Sequence, residues 1–304
     1  MNTDLKPDPS VIGGVPKAPL AFLPEPGKLF ADRAKRFAFL GQHSERLGPY
    51  LAFLGELTRV QARLVADLPA PSRIAPDRIA MARANRMPPI DRAALATDPA
   101  LHETLLSLCR AAQSLTMPEP ARLALAAILD GDLGDRHWLL SNILSDTVPE
   151  DSAAPHLFAA AAVQVHMARL SATLDADALV RIDTGVCPSC GGRPVSSSVM
   201  GAQGIENARY ATCACCSTQW NEVRVKCLCC GSNAAISYRA AGTEDAVIKA
   251  EVCGDCQAWV KILYKVKNHS LDPVADDVGS LGLDLMMKET DFRRGAFNPY
   301  LTGY

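Results

Sequence analysis

Apolar residues recur every three or four positions through much of the first half of the chain. One stripe runs along residues 50–68 and another along residues 163–174. This period places the apolar side chains on one face of a helix, so each stripe predicts a helix that packs against a core. The two stripes consist of Tyr50, Phe53, Leu57, Val60, Leu64 and Leu68, and of Val163, Met167, Leu170 and Leu174.

The same period predicts shorter helices elsewhere, separated by Pro and Gly. They are expected near residues 29–46, 100–115, 119–130 and 136–145. Together these segments predict an all-helical domain over residues 28–180, with six or seven helices.

Both ends of the chain differ from this region. Residues 1–27 contain six prolines without a helical period, and they predict an extended arm that packs across the helical body. In residues 267–304, Asp272 can cap a further helix with Pro273 in its first turn. Its apolar stripe is Val274, Val278, Leu281 and Leu285.

The last residues allow two interpretations. The C-terminal helix and tail can pack back on the body. Alternatively, the tail can dock on a partner protein through three exposed aromatic anchors, Phe297, Tyr300 and Tyr304.

Composition narrows the class of protein. The 304 residues are 48% hydrophobic and 21% charged, with a net charge of −2. This composition favours one large or two smaller domains and argues against disorder or polyanion binding. The longest apolar candidate, residues 157–174, is interrupted by polar side chains, so no membrane insertion is expected. The first residues lack the basic start and apolar core of a secretory signal, and we expect a cytoplasmic protein.

A duplicated cysteine motif lies between residues 187 and 256. CPSC is followed after twenty-two residues by CACC, and CLCC is followed after twenty-two residues by CGDC. Each position of the second copy lies forty residues after its counterpart, which identifies an internal repeat. The outer cysteines are Cys187, Cys190, Cys213 and Cys216 in the first copy, and Cys227, Cys230, Cys253 and Cys256 in the second.

This spacing predicts two metal sites. Two residues between cysteines allow a tight turn to direct both sulfurs at one ion, and a following glycine suits that turn. Two such turns facing each other form a closed tetrahedral site of the zinc-ribbon or rubredoxin type. Ligation by sulfur alone is typical of both zinc and iron, and it does not distinguish between the two metals. A closed site also favours structural or electron-transfer roles over Lewis-acid catalysis.

Other roles for the thiols are less consistent with the pattern. A reducing compartment disfavours disulfides, and a thioredoxin-like pair needs one reactive CxxC rather than four in register. Cys215 and Cys229 fall outside the repeated set; they are spare thiols or, alternatively, take part in ligand exchange or thiol chemistry. Cys109 shares a helical face with Leu105 and is interpreted as a small buried apolar residue.

The predicted ribbons cover residues 187–226 and 227–266. Each is too small for a large core, so metal binding should supply much of its folding energy. Four aromatic residues between or just after the cysteine pairs are expected to cover the metals: Tyr210, Trp220, Tyr238 and Trp259. Residues 187–270 carry nine basic and six acidic side chains, a balance of +3. Two divalent ions bound by eight thiolates contribute about −4, so the net charge of the metal-loaded region is about −1. We therefore expect no nucleic-acid binding.

Catalytic signatures of the common kinds are missing from the sequence. It contains no GxxxxGK[ST], GxGxxG or GxSxG motif, and its six histidines show no ligand spacing. The sequence therefore nominates no catalytic residue, and the protein is predicted not to be an enzyme.

The chain resembles the formate dehydrogenase accessory protein family, FdhE. The resemblance is carried by CPSCGGRPVSS at 187–197, the three later CxxC pairs, DPVADDVGSLGLDL at 272–285 and NPYL at 298–301. An all-helical first half followed by tandem rubredoxin-like repeats is the layout of that family.

The resemblance implies a cytoplasmic assembly factor needed for an active respiratory formate dehydrogenase. It implies contact with the catalytic subunit of that enzyme, and one iron ion in each four-cysteine site, with zinc as the alternative. The competing hypothesis is a small electron-transfer protein that uses iron in the ribbons.

Overall fold

The computed structural model describes residues 18–301, and eight α-helices occupy its first half. Five of these helices begin with Pro in their first turn, where the missing N–H is tolerated. The helices are α1 Pro26–Gln42, α2 Gly48–Asp67, α3 Pro76–Ala84, α4 Arg92–Leu95, α5 Pro99–Ala112, α6 Glu119–Asp130, α7 Leu133–Leu144 and α8 Ala153–Ser171.

The two long predicted stripes lie in the core. In α2, Phe53, Leu57, Val60 and Leu64 are buried, and in α8 almost every side chain is buried. A helix that is apolar all round is expected at the centre of a bundle, and α8 indeed packs against α1, α2, α5, α6 and α7. Cys109 is fully buried in the same core, as predicted, and burial raises its pKa to about 12.

The predicted helix count of six or seven is too low for this region. The additional elements are α3 and α4, which are short and mostly exposed. Few of their side chains contribute to the core, so the apolar period that identified the other helices is weak there.

The second half of the described chain is built on an eight-stranded sheet. Its strands are β1 Ala21–Phe22, β2 Pro194–Val199, β3 Arg209–Cys213, β4 Gln219–Glu222, β5 Ile236–Arg239, β6 Ile248–Cys253, β7 Ala258–Tyr264 and β8 Arg293–Arg294. The strand order is β1-β4-β3-β2-β7-β6-β5, and β8 pairs with β7.

The sequence repeat is visible in the sheet. Strands β2, β3 and β4 form one antiparallel unit and β5, β6 and β7 form another, with matching strands about forty residues apart. A parallel pairing of β2 with β7, in which Ser197 lies opposite Ile262, joins the two units. The two repeats therefore form one continuous sheet.

The segment before α1 differs from its prediction. Residues 21–22 pair with β4, so this part of the arm is a strand of the sheet, and Ala21 also lies in the core that the sheet shares with the helices. The α1 helix also begins at Pro26, inside the range assigned to the arm. Residues 1–17 of the predicted arm lie outside the described residues.

The C-terminal segment packs back on the body, through two helices where one was predicted. These are α9 Ala275–Gly279 and α10 Leu281–Lys288. The Asp272 carboxylate accepts hydrogen bonds from the amides of Val274 and Ala275, as the capping prediction requires. Leu285 is exposed, and the buried face of α10 consists instead of Leu281, Leu283, Asp284 and Met287.

The aromatic tail is not an exposed set of anchors. Tyr300 is 3% exposed, and its hydroxyl donates to Gln164 Oε1 at 2.9 Å. Phe297 is partly buried against the same core. Tyr304, the third proposed anchor, lies outside the described residues.

A buried ionic network ties α9 and α10 to β7. Lys261 is fully buried; its Nζ lies 3.2 Å from Asp277 Oδ1 and also pairs with Asp284. Arg294 Nη2 reaches Asp277 Oδ2 at 2.6 Å, and Asn298 donates to the same oxygen at 2.8 Å. Burial lowers the pKa of Lys261 to about 8. Two carboxylates beside one buried ammonium compensate part of its desolvation cost.

Candidate metal centres

Each of the four cysteine turns has the same local structure. In the first turn of each repeat, a backbone bond from Gly191 to Cys187 O (2.8 Å) matches one from Gly231 to Cys227 O (3.1 Å). A residue with positive φ follows every turn, at Gly191, Ser217, Gly231 and Gln257. Only glycine adopts this backbone region without strain, so the two glycines are explained by the turn.

The turns bring the eight predicted ligand sulfurs into two groups. Within each group every ligand atom lies within 4.8 Å of the others. We refer to the groups as site 1, formed by Cys187, Cys190, Cys213 and Cys216, and site 2, formed by Cys227, Cys230, Cys253 and Cys256.

The sulfur separations suit a tetrahedral ion. The shortest sulfur–sulfur distances are 3.5–3.6 Å in site 1 and 3.6–3.7 Å in site 2. Metal–sulfur bonds of about 2.3 Å in tetrahedral geometry separate the sulfurs by about 3.8 Å. A disulfide requires about 2.05 Å. Both sites can therefore hold a metal ion, and neither has disulfide geometry.

The electrostatics of site 1 also favour a cation. Burial raises the pKa of the Cys187 and Cys213 thiols well above the usual value. Burial opposes ionisation of Cys216 too, but hydrogen bonds from the neighbouring thiols lower its pKa well below the usual value. Four buried thiolates repel one another, and a bound divalent ion compensates that charge.

Site 1 is enclosed by the helical body. Its four cysteines are at most 1% exposed. The Thr218 hydroxyl lies 3.2 Å from Cys216 Sγ, 2.9 Å from Ser171 Oγ of α8 and 3.0 Å from Ser189 Oγ. One hydroxyl thus links a cluster sulfur to the central helix of the bundle.

An ion pair from the helical half also lies against site 1. Arg92 Nη2 is 2.6 Å from Asp146 Oδ1, and both side chains are largely buried. The Asp146 carboxylate accepts a further bond from the amide of Arg193, which follows the first cysteine turn. Burial lowers the pKa of Arg92, but the Cys215 and Asp146 charges outweigh this effect and produce a net rise. Arg92 therefore places positive charge beside the sulfurs.

Site 2 is near the surface. Cys227 and Cys253 are buried, whereas Cys230 is exposed and Cys256 is half-buried. The residue equivalent to Thr218 in this repeat is Ala258, which has no hydroxyl to bond a sulfur. Site 2 therefore lacks the polar link to the helical body that site 1 has.

The two spare cysteines occupy different environments. Cys215 is 4% exposed, and its amide donates to Cys213 Sγ at 3.4 Å. Cys229 is exposed, and its amide donates to Cys227 Sγ at 3.3 Å. Each therefore supports a cluster sulfur through its backbone, and the role of each side chain stays an open prediction.

The four aromatic residues expected to cover the metals have different environments. Trp220 is buried in the same core as the sulfurs of site 1, and Trp259 is buried in the smaller core of the second unit. Tyr210 contacts Phe22 at 5.0 Å between ring centroids, whereas Tyr238 lies on the edge strand β5 with 37% exposure. Site 1 is also covered by α8 and by residues 88–92, where the Ile90 amide donates to Ser189 O. Arg92 and Thr218 could not be identified from the sequence, because the local pattern around each does not differ from that of a surface residue.

None of the helices within residues 18–301 combines the length and the apolarity needed to cross a bilayer.

Comparison with known proteins covers nearly the whole chain. Residues 18–184, 186–224 and 225–301 match the N-terminal, central and C-terminal domain models of FdhE. A protein FdhE homolog of Rhizobium meliloti (strain 1021) is 53% identical over 302 residues, which is 99% of this chain and 98% of the relative. Another, from Edwardsiella ictaluri (strain 93-146), is 34% identical and covers 94% of this chain and 92% of its own length.

A solved structure shares the fold. The crystal structure of the FdhE protein from Pseudomonas aeruginosa matches with a TM-score of 0.83 and 30% sequence identity, over 94% of this chain and 99% of that one. Both the sequence and the architecture thus agree over the helical half, the cysteine repeats and the C-terminal helices, and the chain belongs to the FdhE family.

Proposed function

We propose that the protein is a cytoplasmic accessory protein for the maturation of a respiratory formate dehydrogenase. In this role it binds the catalytic subunit of that enzyme and is not itself an enzyme. The observation that carries the proposal is the match to FdhE domains along the whole described chain. The two thiol clusters fit this role, because closed tetrathiolate sites stabilise a binding scaffold.

We further propose that both sites hold iron, with zinc as the alternative. Four thiolates suit either metal, and the family resemblance favours iron. The test is the metal content and visible spectrum of protein purified without added metal. Two irons per chain with a ferric–thiolate band support iron, whereas two zincs without a visible band would overturn it.

Client binding is tested by a tagged pull-down under reducing, anaerobic conditions. The tagged protein is isolated from cells that also make the catalytic subunit of formate dehydrogenase. Wild type should retain the subunit and Cys227→Ser should retain less of it, because site 2 would lose a ligand. Cys229→Ser is the matched control, since it removes a neighbouring thiol outside the cluster, and it should behave as wild type. Failure of the wild type to retain the subunit would contradict the proposal.

Electron transfer is the second candidate function. It is favoured by the exposure of Cys230, because a redox ion near the surface can exchange electrons with a partner. A reversible one-electron wave in voltammetry of the iron-loaded protein would support this alternative. A protein without such a wave that still binds the subunit would leave the accessory role in place.

A further inference from the structure

A groove of about 1070 Å³ lies beside site 1 and is not used by either metal site. It is bounded by β1, the first half of α1 and residues 265–273. Part of its wall comes from the hairpin of site 1, through Thr212 and Ser217, which flank Cys213 and Cys216 in sequence. A ligand in this groove would therefore contact the shell of the buried metal site.

The floor of the groove carries buried polar atoms that lack a partner. Arg33 is 0% exposed; its Nε bonds Asp272 Oδ1 at 3.1 Å and its Nη2 is 3.5 Å from Ser217 Oγ. Its remaining nitrogen, Nη1, has no hydrogen-bond partner among residues 18–301. The Oγ1 of Thr212, which is 2% exposed, is also unpaired within this range.

Such atoms are rare in folded proteins, because an unpaired buried donor costs free energy. A guanidinium nitrogen and a hydroxyl together form a donor set that suits a carboxylate. The two groups thus indicate where an acceptor from a ligand would bind.

The charged side chains that line the groove also favour an anionic ligand. Lys265 is part of its lining and forms no ion pair within 4 Å among residues 18–301, although the nearby Asp272 and Asp276 carboxylates oppose the lowering of its pKa by burial. Lys28 and Lys35 share a single partner, Asp32. Of the groove's charged side chains, five are basic and three are acidic. The lining therefore carries a positive surplus, although Arg33 is paired with Asp272 and Arg36 with Asp276.

The remaining walls suit a polypeptide. Apolar side chains contribute most of the exposed wall, including Phe22, Leu23, Met200 and Ile205. One side is the outer edge of the sheet, since β1 is its terminal strand. The amide and carbonyl of Leu23 have no backbone partner within the described chain. An unpaired strand edge beside apolar positions is the arrangement to which extended peptides add as a further strand.

We propose that this groove binds an extended, acidic peptide segment along β1, with one carboxylate received by Arg33, Thr212 and Lys265. The inference rests on the proposed function in one respect, namely that the segment belongs to the client subunit. The volume exceeds what a single small anion requires and lies at the upper end of ligand pockets.

The test uses a defined probe on the full-length protein. A fluorescein-labelled octapeptide of alternating valine and glutamate is titrated by fluorescence anisotropy, alongside a version with serine in place of glutamate. The acidic peptide should bind and the serine peptide should bind at least about tenfold more weakly, because it cannot form the charged hydrogen bonds.

Two variants locate the binding. Lys265→Met should weaken binding of the acidic peptide about tenfold. Thr212→Val should weaken it several-fold without lowering the unfolding midpoint, because the lost hydroxyl has no hydrogen-bond partner among residues 18–301. Ser198→Ala is the matched control, because Ser198 Oγ is also buried and has no hydrogen-bond partner in the described part of the chain, but lies outside the groove. It should leave binding unchanged.

Equal binding of both peptides, or wild-type binding by Lys265→Met, would overturn the groove assignment. A pull-down of the catalytic subunit separates this failure from that of the proposed function. If Lys265→Met retains the subunit as well as wild type does, the groove is not the client site and the accessory role stands. If wild type binds the peptide and does not retain the subunit, the accessory role fails and the groove assignment survives.

Discussion

Site 1 and site 2 have equivalent turns, similar sulfur separations and positive-φ residues at matching positions, yet their surroundings differ. The sulfurs of site 1 lie within the main core, next to α8. In site 2, Cys230 is exposed and Cys256 is half-buried. Local geometry therefore follows the repeated sequence, whereas burial follows the position of each unit in the sheet.

The difference extends to individual positions of the repeat. Thr218 and Ser189 form the hydroxyl chain of site 1, and their counterparts are Ala258 and Cys229. The second unit has thereby lost the polar contacts that anchor the first one to the helices. We infer that site 1 stabilises the whole fold and that site 2 stabilises mainly its own repeat.

The largest expected effect is that of removing one ligand from each site. Cys213→Ser should abolish the cooperative unfolding of the helices, because metal binding worth about 10 kcal/mol supports a core shared with α8. Cys253→Ser should leave the helical transition in place and make residues 227–264 sensitive to protease. Circular dichroism at 222 nm and limited proteolysis measure both effects. Equal losses of helix in the two variants would contradict the comparison.

Metal release should be biphasic. A chelator should remove one ion per chain at least about tenfold faster than the other, because the exposed site opens at a lower free-energy cost. A colorimetric assay of the released metal follows both phases, and Cys230→Ser should eliminate the fast one. If that variant lost the slow phase instead, the assignment of site 2 as the accessible site would be wrong.

The ion pair beside site 1 should contribute more to stability than an ion pair beside the second repeat. Arg92→Met should lower the free energy of unfolding by about 3–5 kcal/mol, since it leaves the Asp146 carboxylate buried without its cation. Lys267→Met disrupts a pair with the exposed Asp245 and should leave the denaturation midpoint unchanged. Urea denaturation compares the two, and similar midpoints would refute the proposed difference.

The smallest expected effect concerns the packing around site 2. A Cβ atom at Gly295 would lie 2.2 Å from Cys229 Sγ, so Gly295→Ala should cost about 1–3 kcal/mol through overpacking. The double variant with Cys229→Ala should recover most of the loss in thermal unfolding experiments. No recovery would show that Cys229 is not the group against which Gly295 packs.

The sequence predicted those features that depend on short-range spacing. Two residues between cysteines determine a turn, and the forty-residue offset identified both clusters and their equivalence. The stripes of α2 and α8 identified core helices, because a 3.6-residue period is a local property. The sequence did not predict α3 and α4, because their side chains contribute little to the core. It also did not predict the break between α9 and α10 at Ser280.

Only the tertiary structure determined which cluster is buried. The parallel pairing of β2 with β7, the contact of Thr218 with Ser171 and the approach of Arg92 to site 1 each join residues more than forty positions apart. The burial of Tyr300 was also decided by tertiary structure. From sequence alone its side chain could lie at the surface or in the core, and it is the distant Gln164 of α8 that accepts its hydroxyl hydrogen bond. Repeated local sequence sets repeated turns, but long-range packing decides burial, because it depends on which distant segments meet.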